Sequence, residues 1–259
     1  MKRIRAVALM YHDVVPRHAP DASGFPGRDA ASYKLTEEEF QAHLGALAGR
    51  PVSLVDGLAA GALPVLLTFD DGGVSAHHPV ADLLEERGWR GHFLVATDFL
   101  GQPGFLTPEQ VRELHRRGHL IGSHSCSHPV VMRACGAEQL RREWRESVAA
   151  LADLLGEEVW LASVPGGYYS AAVAEAAAEA GIRALFHSVP VSVGKMQGGC
   201  LALGRYTLRA GDPARLSGAL AAGRWWPAFR QKLIWSGKQA AKQVSTRAYL
   251  RLRGFLINR

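Results

Sequence analysis

The segment Pro64-Val-Leu-Leu-Thr-Phe-Asp-Asp-Gly-Gly73 passes directly from an apolar run into two adjacent carboxylates, Asp70 and Asp71, and two glycines. A short apolar run of this kind predicts a buried β-strand. Folds built of βα units place catalytic groups where their strands end, so the paired acids are candidate functional residues. Asp-Asp-Gly also suits an ordinary solvated turn. The segment therefore predicts a strand and leaves the role of the two acids open.

Apolar runs of this kind alternate with helical patterns along the chain. The predicted strands are residues 6–10, 64–69, 91–96, 119–123, 159–163, 183–187 and 202–208, and the predicted helices are 36–48, 75–87, 107–117, 137–155, 169–180 and 213–222. Thr36 with Glu39, and Thr107 with Gln110, have the spacing of capping boxes, which marks the start of two helices. The alternation predicts an α/β fold with βα units around a parallel sheet. Residues 16–34 have no periodicity and are predicted to form a long surface loop.

A second candidate motif, His124-Ser-Cys-Ser-His128, follows the predicted strand at 119–123. Two histidines four residues apart fall on one side of a helical turn, so both imidazoles can reach one cation. A carboxylate commonly supplies the third ligand of a zinc site that keeps a position open for water. Two hydrogen-bonded structural histidines would have the same spacing.

A third candidate motif, Val164-Pro-Gly-Gly-Tyr168, follows the predicted strand at 159–163. Pro165, Gly166 and Gly167 leave backbone N–H groups unobstructed by side chains, which suits an oxyanion hole. The same residues also suit an ordinary turn between a strand and a helix.

Cysteine usage and hydropathy indicate a soluble protein of a reducing compartment. The three cysteines, Cys126, Cys135 and Cys200, have no CxxC spacing and an odd count, which favours free thiols. The apolar run at 6–10 is shorter than the signal-peptide core of about 7–15 residues. No segment approaches the roughly 20 apolar residues that a membrane-spanning helix needs. We therefore expect a cytoplasmic location, with peripheral attachment to the inner face of the membrane left open.

The formal charge of +6 is concentrated in the last part of the chain, because residues 224–259 contain nine Lys or Arg and no Asp or Glu. This distribution divides the chain into a catalytic domain at 1–223 and a basic, aromatic-rich helical tail at 224–259. Such a helix could pack its aromatic side chains on the barrel, or it could lie on an anionic membrane surface. Nucleic-acid binding is disfavoured, because no nucleic-acid motif accompanies the charge.

The three motifs together resemble the polysaccharide deacetylase family, also called the NodB-homology domain. Its Thr-Phe-Asp-Asp-Gly motif stands at Thr68–Gly72, and its His-Ser/Thr-x-x-His motif stands at His124–His128. Further similarity covers 9–14, 106–110 and 119–124, so that the resemblance spans roughly residues 6–210. It implies a distorted (β/α) barrel with fewer than eight strands, in agreement with the seven strands predicted above.

The resemblance also implies a role for each motif residue. Asp70 would be the catalytic base, and Asp71, His124 and His128 would hold a divalent metal, for which a His₂-Asp set suits zinc. The Gly166 N–H would stabilise the oxyanion together with the metal. The expected substrate contacts are Pro165, Gly167, Tyr168 and His12.

Two departures from the family pattern concern the rest of the mechanism. The family usually has an arginine two residues before the proline of its third motif, where this chain has Ser163. The late Leu-x-x-His motif that supplies the usual acid has no match, and the nearest strand, Arg205-Tyr-Thr-Leu-Arg209, lacks histidine. His187 is the first candidate for the general acid and His12 is the second, although each could be a structural histidine.

Three functional classes follow from these observations. The first is a metal-dependent hydrolase that removes acetyl groups from N-acetylated sugars of a polysaccharide, an oligosaccharide or a glycolipid intermediate. The second is an amidohydrolase of other linear amides on the same fold. The third is a non-catalytic metal-binding descendant, which the missing arginine and acid favour and the four retained metal-site residues disfavour.

Overall fold

A parallel β-barrel forms the centre of the molecule. The structure is a computed structural model that describes residues 4–58 and 63–237. Seven parallel strands pair in the order β1, β2, β3, β4, β5, β6, β8, and β8 pairs with β1 to close the barrel. Their bounds are β1 Val7–Tyr11, β2 Val65–Phe69, β3 His92–Val95, β4 Leu120–Ser123, β5 Leu161–Ser163, β6 Ala184–His187 and β8 Cys200–Thr207. The predicted fold class and its seven strands are confirmed.

One further strand was not predicted. The three-residue β7, Lys195–Gln197, pairs antiparallel with β8 through a turn at Gly198 and Gly199. Its Lys-Met-Gln sequence is too short and too polar to show the alternation that identifies a strand.

Helices cover the outside of the barrel. They are α1 Arg28–Ala31, α2 Glu37–Gly45, α3 Val80–Glu85, α4 Pro108–Arg116, α5 Ala137–Leu155, α6 Ala171–Glu179 and α7 Ala214–Ala221. Both predicted capping boxes are present at the starts of α2 and α4. The helix predicted from residue 75 begins only at Val80, because Pro79 has no N–H to donate inside a helix and stands at its N-cap.

Alternation along the strands decides which side chains face the barrel interior. Ala8, Leu66, Phe186 and Leu203 belong to one buried cluster inside the barrel, whereas their neighbours pack against the helices. Side chains two residues apart share a face of a strand. The inward rows continue at the carboxyl ends of the strands into His12, Asp70, His124, Ser163 and Arg205, so these five side chains are aimed at one region.

The beginning of the predicted tail is helical. Residues 225–237 form a helix that reaches the limit of the described residues, and residues 238–259 of the predicted tail lie outside them. None of the helices in the described part of the chain is long and apolar enough to cross a membrane.

Candidate metal and active site

Three of the predicted residues converge as a ligand set at the carboxyl end of the barrel. Asp71 Oδ1 lies 3.3 Å from His124 Nε2 and 3.5 Å from His128 Nε2. The three ligand atoms all lie within 4.8 Å of one another. Ligands bound to zinc at about 2.0–2.2 Å in a tetrahedron stand about 3.4 Å apart. The spacing and the donor types therefore fit one divalent cation of zinc size.

Ser163 fixes the orientation of the His124 ring. His124 Nδ1 lies 2.5 Å from Ser163 Oγ and 3.1 Å from the Ser163 carbonyl oxygen. A proton on Nδ1 can be donated to these oxygens, which leaves the Nε2 lone pair directed at Asp71. Hydrogen bonds of this type hold metal-ligating histidines in the correct tautomer.

The backbone of both ligand motifs is strained. Asp71, Ser125 and His128 have φ angles of 76°, 64° and 52°, and no other non-glycine residue in the described ranges has a positive φ. Non-glycine residues in this region cost of order 1–3 kcal/mol each and cluster at functional sites.

The predicted helical turn at His124–His128 is wrong, since this segment is a loop. His128 precedes Pro129, and the residue before a proline is kept out of the α-helical region.

A buried carboxylate on α5 holds this loop in place. Glu143 Oε2 accepts hydrogen bonds from the N–H groups of Cys126 (3.2 Å) and Ser127 (2.9 Å), and its Oε1 accepts one from Ser127 Oγ (2.5 Å). Burial raises the pKa of Glu143, but these hydrogen bonds lower it by more. The pKa of this carboxyl group therefore lies below its ordinary value. The sequence analysis missed this residue, although Glu143 lies on the apolar face of α5 between Leu140 and Trp144.

The candidate base, Asp70, forms a bidentate ion pair with a buried arginine. Arg205 Nη1 donates to Asp70 Oδ1 (2.6 Å), and Arg205 Nη2 donates to Asp70 Oδ2 (2.7 Å). Ser163 Oγ also donates to Oδ1 (3.0 Å). Burial raises the pKa of Asp70, but Arg205 and His124 lower it more, so the pKa lies below its ordinary value. Asp70 is therefore ionised at neutral pH.

Arg205 supplies the positive charge beside Asp70, whereas residue 163, where the family pattern has an arginine, is a serine. It reaches the barrel interior from β8, where Ala8 on the inward row of β1 is its neighbour. Ser163 in turn connects the metal-ligand candidate His124 with Asp70. Asp70 therefore has a buried cation beside it although residue 163 is a serine.

Replacement of Arg205 by methionine is expected to destabilise the protein strongly. Arg205 is 0% exposed and Asp70 is 4% exposed, so the variant leaves a carboxylate without its counter-charge inside the barrel. Breaking a buried pair in this way costs about 3–5 kcal/mol of unfolding free energy. Urea unfolding at pH 7 measures the change. Arg205→Lys, which keeps the charge and loses the paired donors, should lose less, and a loss below about 1 kcal/mol in Arg205→Met would contradict the role assigned to the pair.

The predicted loop before α2 is anchored and forms part of the site. Asp13 Oδ1 accepts a hydrogen bond from Ser23 Oγ (2.6 Å), and Lys34 Nζ donates to the carbonyl oxygens of Ser23 (2.5 Å) and Phe25 (2.6 Å). The Phe25 ring then packs against the His128 imidazole, with 4.8 Å between ring centroids. The loop thereby covers one side of the ligand set.

An open cavity of about 340 Å³ contains the ligand set. Its lining includes seven of the predicted site residues: His12, Asp70, Asp71, His124, His128, Gly166 and Gly167. Pro165 and Tyr168 are buried and are not part of this lining, and Tyr168 packs under the Arg133 guanidinium at 5.1 Å. A larger cavity of about 630 Å³ lies beside α2 and includes none of these seven residues.

Gly166 offers a backbone donor to the cavity. Its φ of 61° lies in the left-handed region, which glycine adopts without a steric cost. The N–H of Gly167 donates to the Val164 carbonyl oxygen (3.4 Å), whereas the N–H of Gly166 has no acceptor within the described residues. Gly166 therefore lines the cavity with an N–H that is free to donate.

The two candidate acids lie in different surroundings. Phe186 and Ser188 occupy the inward row of β6, so His187 faces outward, where its ring packs against Tyr169 at 4.6 Å. Burial lowers the pKa of His187 to about 4. His12 lies in the cavity, its ring packs against Tyr33 at 4.7 Å, and its buried Nδ1 has no hydrogen-bond partner in the part of the chain that the structure describes. The structure thus brings His12, but not His187, into the cavity with the two acids.

Comparisons with known proteins identify a family and a fold to which this chain is similar. The sequence profile of a family described as polysaccharide deacetylase matches residues 59–185. The protein YxkH of Bacillus subtilis is named as a polysaccharide deacetylase whose activity is unproven. It is 25% identical over 202 residues, which are 73% of this chain and 67% of YxkH. The chitin deacetylase of Colletotrichum lindemuthianum is 29% identical over 77 residues, 29% of this chain and 31% of that protein. The structure of IcaB from Ammonifex degensii has a TM-score of 0.69 at 22% identity, over 84% of this chain and 97% of IcaB, and shows the same fold.

Proposed function

We propose that this chain, a member of the polysaccharide deacetylase family, removes the acetyl group from an N-acetylated sugar by hydrolysis that depends on a divalent metal. Zinc is the metal that the donor set suits. The observation that carries the proposal is the position of Asp70. Its Oδ2 lies 4.0 Å from His124 Nε2, beside the three converging ligand atoms and inside an open cavity. A base beside a three-ligand site is what hydrolysis of an amide requires.

Asp71, His124 and His128 would hold the cation. When bound, such a cation lowers the pKa of a water from about 15.7 to about 7 and polarises a carbonyl group. Asp70 accepts the proton of the attacking water at Oδ2, the oxygen nearer His124, because Oδ2 accepts one hydrogen bond, from Arg205 Nη2, whereas Oδ1 accepts two, from Arg205 Nη1 and Ser163 Oγ. The paired arginine also prevents the carboxylate from turning away.

Two further groups complete the reaction. The Gly166 N–H donates to the oxygen that becomes negatively charged, and one such donor contributes about 10²–10³-fold to the rate in other enzymes. His12 donates a proton to the sugar nitrogen as the C–N bond breaks, so that the products are acetate and a free amine. This assignment follows from the position of His12 in the cavity.

Acetate release from N-acetylglucosamine oligomers tests the proposal. The zinc-loaded full chain is expected to release acetate, to lose this activity on chelation and to regain it when zinc is returned. Zinc binding without acetate release would instead favour the non-catalytic descendant. Release of acid from simple linear amides, but not from the sugar oligomers, would favour the second class of hydrolase.

Replacement of His12 by glutamine is expected to lower kcat for the sugar substrate by about 10²–10⁴-fold, the usual contribution of a general acid or base. Hydrolysis of 4-nitrophenyl acetate should fall much less, because its phenolate leaves without a proton. His187→Gln is the matched control and should change both rates by less than tenfold. If His187→Gln caused the larger and substrate-dependent loss, the acid role would belong to His187.

A further inference from the structure

A second cavity adjoins the cavity at the metal site. The second cavity has a volume of about 380 Å³ and is lined on one side by the helix at 225–237. Four residues line both cavities: Ser188, Thr207, Arg209 and Trp235. The two cavities therefore adjoin between Asp71 and this helix, and together they are called the groove.

The far part of the groove is apolar. Its lining includes Leu216, Trp226, Pro227, Ile234 and Trp235. Trp226 is 57% exposed and Ile234 is 46% exposed, and the same helix also exposes Trp225, Phe229 and Leu233. Clustered exposed apolar side chains of this kind mark an interaction site. A hydrocarbon chain would bury this surface, including the aliphatic side chains of Leu216 and Ile234, which offer no ring face on which a sugar could stack.

Two arginines line the second cavity, and one of them, Arg209, also lines the cavity at the metal site. Arg209 stands where the two cavities join, with its guanidinium over the Tyr33 ring (4.5 Å) and a hydrogen bond to Tyr33 Oη (2.8 Å). Arg230 lines the second cavity. Neither guanidinium pairs with a carboxylate among the described residues, and Asp212, which also lines the second cavity, accepts the backbone N–H of Arg209. Unpaired guanidinium groups are suited to bind a phosphate.

We propose that the substrate is an amphiphile in which an N-acetylated sugar is joined through a phosphate ester to a hydrocarbon chain. This inference rests on the proposed function and specifies its substrate class. The sugar lies beside Asp71, the phosphate lies at Arg209 and Arg230, and the hydrocarbon chain lies in the apolar part of the groove. Arg209 lies at the junction of the two cavities, so a phosphate held there leaves the sugar on the side of Asp71 and the hydrocarbon chain on the side of Trp226 and Ile234.

The direct test compares matched substrates at concentrations below their micelle threshold. Acetate release by the zinc-loaded full chain is measured with the methyl and dodecyl phosphodiesters of N-acetylglucosamine 1-phosphate and with uncharged dodecyl N-acetylglucosaminide. The dodecyl phosphodiester is expected to have a kcat/KM at least 100-fold above that of the methyl phosphodiester, with the uncharged glycoside between them. Equal values for the methyl and dodecyl phosphodiesters would overturn the proposal.

Matched variants on one helix locate the binding site. Ile234→Asp should raise KM for the dodecyl phosphodiester at least tenfold, whereas Leu233→Asp, at an exposed neighbour that does not line the groove, should not. Arg230→Met should reduce the preference for the charged dodecyl substrate over the uncharged one, and Lys232→Met is its control. Equal effects in the members of either pair would contradict a groove site. Equal loss of flotation with phosphatidylglycerol vesicles in the Ile234 and Leu233 variants, with no effect on KM, would assign the surface to a bilayer instead.

A binding measurement separates this inference from the proposed function. Calorimetry with dodecyl phosphate requires no turnover, so it remains informative if none of the sugars releases acetate. Saturable binding that Ile234→Asp weakens at least tenfold and Leu233→Asp does not would support the groove site even though the hydrolytic function had failed. Absence of saturable binding to the intact chain would overturn the groove site.

Discussion

Replacement of Asp70 by asparagine is expected to lower acetate release by at least about 10²–10⁴-fold while the protein still binds its metal. The amide cannot accept a proton from water, and the three ligand side chains remain unchanged. The measurements are kcat with the sugar substrate and the zinc content of the same preparation. Near-normal turnover in Asp70→Asn would transfer the role of base to another residue.

Asp70→Asn also removes the counter-charge of Arg205, so a loss of stability must be separated from a loss of chemistry. One amide oxygen can still accept a hydrogen bond from Arg205 Nη1, but the buried arginine is no longer neutralised. The double variant Asp70→Asn, Arg205→Met should therefore be more stable to urea than Asp70→Asn alone. Its turnover should stay as low, because the base is still absent.

Replacement of both His124 and His128 by alanine is expected to reduce bound zinc from about one ion per chain to none. Asp71 alone would remain of the three ligands, and a single carboxylate does not form a structural or catalytic zinc site. Acetate release should be lost with the metal. The fold should persist, because the barrel strands and their helices do not depend on either imidazole.

The control for this pair is a second double variant, His78→Ala with His115→Ala. Both histidines lie outside the cavity that holds the ligand set, and each pairs with a carboxylate at the surface. This variant should keep its zinc and its activity. Unchanged zinc content in the His124, His128 variant would show that the ligand assignment is wrong.

The barrel could be predicted because each of its strands is a separate local signal. The apolar run that ends in Asp70 and Asp71 identifies a strand and its functional end at once, and the capping residues Thr36 and Thr107 mark helix starts without reference to the rest of the chain. Parallel strands buried on both faces read as continuous apolar runs. This property identifies the strands but conceals which residues face inward.

The details of the site depend on that hidden alternation. Arg205 and Asp70 meet because both lie on inward rows of strands that are far apart in sequence, and only the closure of the barrel brings them together. The same rule turns His187 outward, although it stands at a strand end. A prediction that carried the inward row from Ala184 and Phe186 to Ser188 would have excluded His187 from the cavity.

The ligand loop could not be predicted from spacing alone. Two histidines four residues apart suggest a helical turn. The segment is instead a loop, in which the left-handed backbone at Ser125 and His128 brings the rings of His124 and His128 to Asp71. This loop depends on Glu143, which is supplied by a helix farther along the chain. Long-range hydrogen bonds of this kind have no local sequence signal.

Anomalous diffraction at the zinc edge, from crystals of the zinc-loaded full chain, tests the central claim most directly. We expect one strong peak about 2.0–2.2 Å from Asp71 Oδ1, His124 Nε2 and His128 Nε2, with Asp70 bound to Arg205 and not to the metal. A zinc peak held by other residues, or by Asp70 in place of Asp71, would show that the ligand assignment is wrong.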